Sequence, residues 1–141
     1  MQFLSLVRIA RTDQIERLCF PSRQTCYRRL CKLLQAGVLH REPLPGRGYF
    51  WALRPVRYTL KTRHDLAITE VYVQHRPLEW RMDVTVAGLK PDAAMRTKQG
   101  TWLIEVDCGT TAPCVIQRKL RKYEKALSGV EDAPKVMIIH A

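Results

Sequence analysis

The stretch KPDAAMRTKQGTWLIEVDCG, residues 90–109, decides how the second half of this chain is read. Two runs, KPDAAMRT and TWLIEVD, are separated only by the turn KQG, so they read as consecutive antiparallel strands. Side chains alternate along a strand, which puts Glu105 and Asp107 on one face. The tight turn brings Asp92 beside Glu105. Carboxylate oxygens converging in this way can hold Mg²⁺ or Mn²⁺, and such a metal lowers the pKa of a bound water. Ordinary carboxylates at strand ends fit the same pattern, and the sequence leaves both readings open.

Working outward, HDLAITEVYVQH reads as a helix over about residues 64–75, with His64 at its start and Glu70 inside it. EWRMDVTVAG alternates Trp80, Met82, Val84 and Val86 and reads as a strand. APCVIQRKLRKYEKAL reads as a helix with Val115, Leu120, Tyr123 and Leu127 turned to the core, and PKVMIIHA as a last buried strand. The order is α-β-β-β-α-β. Lys119 and Tyr123 are at i, i+4 and share a helix face. Lys119 is therefore either a charge partner for the carboxylates or part of a solvated or DNA-facing surface with Arg121 and Lys122.

Toward the N-terminus three helical stretches come first. QFLSLVRIA is mostly apolar, and TDQIERLCF starts at Thr12, a residue type suited to capping. PSRQTCYRRLCKLLQAG is bounded by Ser22 as cap and Gly37 as stop, with Cys26, Leu30, Leu33 and Leu34 on one stripe. The opposite face carries Gln24, Thr25, Arg28, Lys32 and Gln35, flanked by Arg23 and Arg29. These side chains donate to phosphates and base edges. VLHREPLPGRGYFWALR then reads as two strands and a turn, a hairpin with Arg41 and Arg47 near its tip.

The 141-residue chain has a net charge of +11, which favours a polyanionic partner. The charge is uneven: residues 1–60 hold 11 Lys/Arg against 3 Asp/Glu, and residues 61–141 hold 13 against 10. Apolar residues make up 46% of the chain, too many for a disordered segment. No apolar run approaches the ~18 residues of a membrane span, and the N-terminal stretch, broken by Arg8, lacks the form of a signal peptide. A cytoplasmic location is expected. The five cysteines, an odd number with no CxxC pair, read as reduced thiols.

Two helices, a basic helix and a hairpin, in that order, resemble the winged helix-turn-helix family. The "PD" and "EVD" on consecutive strands resemble the PD-(D/E)XK nuclease superfamily. That likeness implies Asp92, Glu105 and Asp107 as catalytic and metal-binding positions, with Glu70 as a further acidic ligand. The superfamily places a Lys where Asp107 stands; in some relatives it sits on the next helix, a role open to Lys119 or Lys122. The combination, with EVDCGT followed by KLRKY, resembles the replication-relaxation family of plasmid and mobile-element proteins, in which Asp107 is the usual residue.

The expected fold is thus α+β: a winged helix-turn-helix over residues 1–55, then a restriction-endonuclease-like α-β-β-β-α-β domain over 56–141. The expected activity is sequence-specific binding of double-stranded DNA by a homodimer in plasmid or mobile-element replication or mobilisation, with no cofactor needed for binding. A metal-dependent endonuclease or nickase using Mg²⁺ or Mn²⁺ and a transcriptional repressor are the alternatives.

Overall fold

The structure is a computed structural model describing residues 2–141. Its elements are α1 (Gln2–Val7), β1 (Ile9–Arg11), α2 (Thr12–Cys19), α3 (Arg23–Gln35), β2 (His40–Leu44), β3 (Gly48–Ala52), α4 (Leu60–His75), β4 (Glu79–Met82), β5 (Ala93–Thr97), β6 (Gly100–Asp107), α5 (Pro113–Leu127) and β7 (Lys135–His140). The fold is mixed α+β, with five helices and two sheets among the described residues. The chain forms two compact units, Met1–Gln74 and His75–Ala141.

The first unit is organised by a small antiparallel sheet in the order β1-β3-β2. Alternation along β3 sends Trp51 to one face and Phe50 and Ala52 to the other. Trp51 joins Leu4, Ala10, Ile15, Cys26, Leu30 and Leu39 in a core shared with α1, α2 and α3. Phe50 and Ala52 join Ile9, Leu44 and Leu66, the last supplied by α4. The Thr69 hydroxyl donates to the Ile9 carbonyl at 2.7 Å, tying α4 to β1. Without α4, the Phe50 face would stand in water; burying one such side chain contributes about 1.5–3 kcal/mol. The division therefore falls after Gln74 rather than at the expected boundary of residues 55 and 56.

β1 was not expected: QFLSLVRIA reads as one helix, but Arg8 takes a left-handed φ of 71° and the chain turns into a strand. Thr12 is the first residue of α2 rather than its cap. Its hydroxyl instead accepts from the Trp51 indole at 2.9 Å. α4 begins at Leu60, so His64 lies inside it. Thr59 and Thr62 form its start, with the Thr59 amide donating to Thr62 Oγ1 at 2.9 Å.

The second unit is a four-stranded sheet in the order β4-β5-β6-β7. β4, β5 and β6 are antiparallel neighbours, whereas β7 runs parallel to β6 after the crossover through α5. β4 stops at Met82, short of the expected Gly88, because Asp83 and Ala87 adopt left-handed φ of 57° and 49°. Trp80, Ala93, Met95, Ile104 and Val106 are buried on one face of this sheet. The opposite face carries Leu103, Glu105 and Asp107. No helix among the described residues is long and apolar enough to cross a membrane.

Candidate functional site

Two groupings of polar side chains stand out, one in each unit. In the first, the Ser22 hydroxyl accepts from the Thr25 amide at 3.3 Å and starts α3, and Gly37, with φ 67°, follows its C-cap Ala36. Cys26 and Leu30 turn into the core, so the other side of the helix is forced outward. Arg23, Gln24, Arg28, Arg29 and Lys32 are all exposed. None of these four cations has an ion-pair partner among the described residues. Thr25 is half-buried, and its hydroxyl is bonded to Ser22, so it belongs to the cap.

The hairpin brings further groups to this side. Arg47 sits exposed in the turn between β2 and β3. Arg41 does not lie at the tip; it pairs across from Trp51 near the hairpin base. There its guanidinium lies 4.3 Å from the centroid of the Tyr49 ring and 3.4 Å from the Tyr27 hydroxyl. Tyr27 and Tyr49 remain 42% and 38% exposed, too open for core aromatics. Both escaped the sequence reading. The only available signal was the two-residue diagonal offset between Arg41 and Tyr49 across the hairpin, which depends on knowing the register.

In the second unit Glu105 is 3% exposed and meets two side chains from α5: Lys119 Nζ bonds Oε2, and the Tyr123 hydroxyl bonds Oε1. Burial holds the Glu105 carboxyl above the usual glutamate range, and the nearby Asp92 charge adds to this, against the pull of Lys119 and Tyr123. Burial, and then the bond to Glu105, pushes the Tyr123 hydroxyl well above the ordinary tyrosine value.

Asp92 lies just before β5, and its Oδ2 accepts from the Val106 amide at 2.8 Å, while its own amide donates to the Ile104 carbonyl at 2.9 Å. It thus extends the β5–β6 ladder by one side-chain rung. Asp107 ends β6 on the Glu105 face. Its Oδ1 accepts from the Thr111 amide at 3.3 Å, and its Oδ2 stands 3.4 Å from His140 Nδ1. Burial opposes ionisation there, but the donors of the 107–111 loop and His140 hold the carboxyl below its ordinary value.

The divalent metal expected from the sequence can be tested against this geometry. Both oxygens of Glu105 and Oδ1 of Asp107 accept from donors of the chain itself, Asp107 Oδ2 stands near His140, and Asp92 Oδ2 is committed to a backbone amide. Among the described residues no three His, Cys, Asp or Glu side chains converge as metal ligands. The carboxylates as arranged do not fit a metal ion; Lys119 supplies the countercharge.

Glu70 lies in the first unit and accepts from Arg11, Arg17 and Gln14, with the Gln14 amide at 2.9 Å. Those donors outweigh burial and lower its pKa. Gln14 is fully buried; it also donates to the Leu66 carbonyl at 3.1 Å and accepts from the Arg11 amide at 2.9 Å. Glu70 is thus the hub holding α2 and α4 together.

Comparison with known proteins matches residues 52–138 to the family described as replication-relaxation. No match is found among curated proteins or among solved structures. The matched residues begin at the end of β3 and run through α4, the second sheet and α5 into β7. α3 lies outside them.

Proposed function

The chain belongs to the replication-relaxation family, and from that premise we propose that it is a double-stranded DNA-binding protein serving plasmid or mobile-element replication or mobilisation. The observation that carries this reading is the exposed, unpaired cationic face of α3 beside the Arg41 and Arg47 hairpin. In this reading the first unit is a winged helix-turn-helix: α2 and α3 form the helix pair, α3 enters the major groove, and the β2–β3 hairpin is the wing. Arg28 and Gln24 read base edges, since Arg and Gln make bidentate contacts with guanine and adenine. Arg23, Arg29, Lys32 and Arg47 neutralise phosphates. The Arg41 guanidinium, held by Tyr49 and Tyr27, is oriented before DNA arrives, which lowers the entropy lost on contact.

A single helix spans few base pairs, so the reading includes a two-fold homodimer on a two-fold site. Selection of bound duplexes from a random pool tests it. The full chain should enrich one sequence, and Arg28→Ala should bind without that preference. Failure of the full chain to retain duplex DNA at low salt overturns the proposal.

The second unit is read as a nuclease-like scaffold whose carboxylates are neutralised from within. An endonuclease reading has one observation in its favour: Lys119 reaches Glu105 from the following helix, the place to which the catalytic lysine shifts in some relatives of the PD-(D/E)XK superfamily. Incubation of supercoiled plasmid with Mg²⁺ or Mn²⁺ separates the two. Nicking by the wild type that disappears in Glu105→Ala establishes the enzyme; intact plasmid supports the scaffold.

A further inference from the structure

We propose that α5 carries a second, sequence-independent contact for the DNA phosphate backbone, made by Arg118, Arg121, Lys122 and Lys125. The inference rests on the DNA-binding reading above and extends it to the second unit, whose basic residues that reading leaves unused.

The argument begins with helix geometry. At 100° per residue these four positions fall within one arc of about 100°. The residues turned to the sheet, Ile116, Leu120, Tyr123 and Leu127, centre on the opposite side. All four cations are exposed, and none has an ion-pair partner among the described residues. The fifth cation of the helix, Lys119, sits off this arc and is held by Glu105. The helix thus separates a cation with an internal structural partner from four that have none. Glu124, the one acid on α5, flanks the arc rather than lying within it.

Like charges at i, i+3 and i, i+4 repel, and this stripe contains four such pairs: 118–121, 118–122, 121–125 and 122–125. A surface needed only for solubility would mix signs. A single-sign stripe is favoured when a polyanion covers it. From Arg118 to Lys125 the helix rises roughly 10 Å, a length over which one DNA strand presents about three phosphates. An anionic membrane would call for apolar groups beside the cations. Here the apolar side of α5 is turned to the sheet, and Val115 is the one large apolar residue of the helix among the exposed ones. Charge alone is on offer, which suits the phosphate backbone and reads no bases.

The test uses the full chain and fluorescence anisotropy with a mixed-sequence DNA duplex over a series of salt concentrations. Arg118→Gln/Lys122→Gln and Arg121→Gln/Lys125→Gln should each lower the slope of log K against log salt by roughly one to two units. Arg118→Lys and Arg121→Lys should keep the wild-type slope. Preference for a selected site over mixed sequence should be unchanged in every stripe variant, whereas Arg28→Ala should lose it. All these positions are exposed, so the Lys variants should unfold as wild type does, and the double Gln variants at the same temperature or slightly higher, because like-charge pairs are lost. If the wild type binds duplex but both double variants keep its slope, the stripe is only a solvated face and this inference alone fails. If the wild type binds no duplex, the DNA-binding reading fails first. Binding to phosphatidylcholine vesicles containing phosphatidylserine that the double variants lose, with DNA binding unaltered, assigns the stripe to lipid and overturns the proposal.

Discussion

Removing the Lys119 ammonium should expose how the second unit tolerates a buried carboxylate. Glu105 has only 4% of its side-chain surface exposed, whereas Lys119 keeps 49%. Breaking a fully buried pair by deleting one partner costs about 3–5 kcal/mol, and a fully exposed pair contributes about 0–1 kcal/mol. Because water already screens half of Lys119, Lys119→Ala should destabilise the fold by about 1–2 kcal/mol near neutral pH. Tyr123→Phe removes a donor to the same charged, buried acceptor and should cost about 1.5–3 kcal/mol. Urea denaturation followed by circular dichroism reads both. In the Glu105→Gln background the Lys119→Ala cost should nearly vanish, since the double-mutant cycle isolates the pair.

The sign with pH follows from the raised folded-state value of Glu105. Its contribution to stability is largest when protonated and declines as pH rises from 4.5 through that raised value. The Lys119→Ala cost should therefore shrink as pH falls and Glu105 takes up its proton. Mg²⁺ or Mn²⁺ should leave the wild-type melting temperature unchanged, because both Glu105 oxygens and Asp107 Oδ1 already accept from donors of the chain. A Lys119→Ala variant as stable as wild type near neutrality, or a large metal-induced rise in melting temperature lost in Asp92→Asn, refutes this reasoning.

The first unit has its own acid sensitivity. Glu70 has a lowered folded pKa, so its contribution is full above 4.5 and is lost as pH falls through the folded value; Glu70→Gln should flatten the acid limb of the stability curve, as measured by thermal melts against pH. All five thiols should titrate in denatured protein prepared without reductant; no disulfide links the cysteines in the structure. In the folded protein Cys26, buried and with its thiol pushed up to about 11, should alkylate far more slowly than the exposed Cys19 and Cys114. Mass spectrometry after a timed alkylation distinguishes them.

How much of this was legible in the residues varies with the kind of signal. α3 could be read end to end, because Ser22 and Gly37 mark its limits and Cys26 and Leu30 fix its buried stripe. The β5–β6 pair was legible from a turn of three residues and a clean alternation. β1 was hidden because the break before it rests on Arg8, a non-glycine residue in a left-handed conformation, which nothing in the sequence signals. The extent of β4 misled for the same reason: Val84 and Val86 continue the alternation, but Asp83 and Ala87 turn the backbone out of the strand. α4 gives a mixed pattern because Leu66, Ile68, Val71 and Val73 are all buried, so no single stripe marks a face. Its place in the first unit follows from tertiary contacts through Leu66, Thr69 and Glu70, which have no local signature. The spacing of Glu105 and Asp107 was legible, but their partners were not. Backbone amides bond one oxygen of Asp92 and one of Asp107, and every residue but proline carries a donor of that kind.

The most direct measurement is the salt dependence of duplex binding by the full chain carrying changes on α3 alone. Arg28→Ala should cost about 1–3 kcal/mol on a selected site, while Lys32→Ala should lower the slope of log K against log salt by about one unit on any sequence. Wild-type affinity and slope in a folded Arg28→Ala/Lys32→Ala protein would contradict the assignment of α3 as the DNA-binding helix.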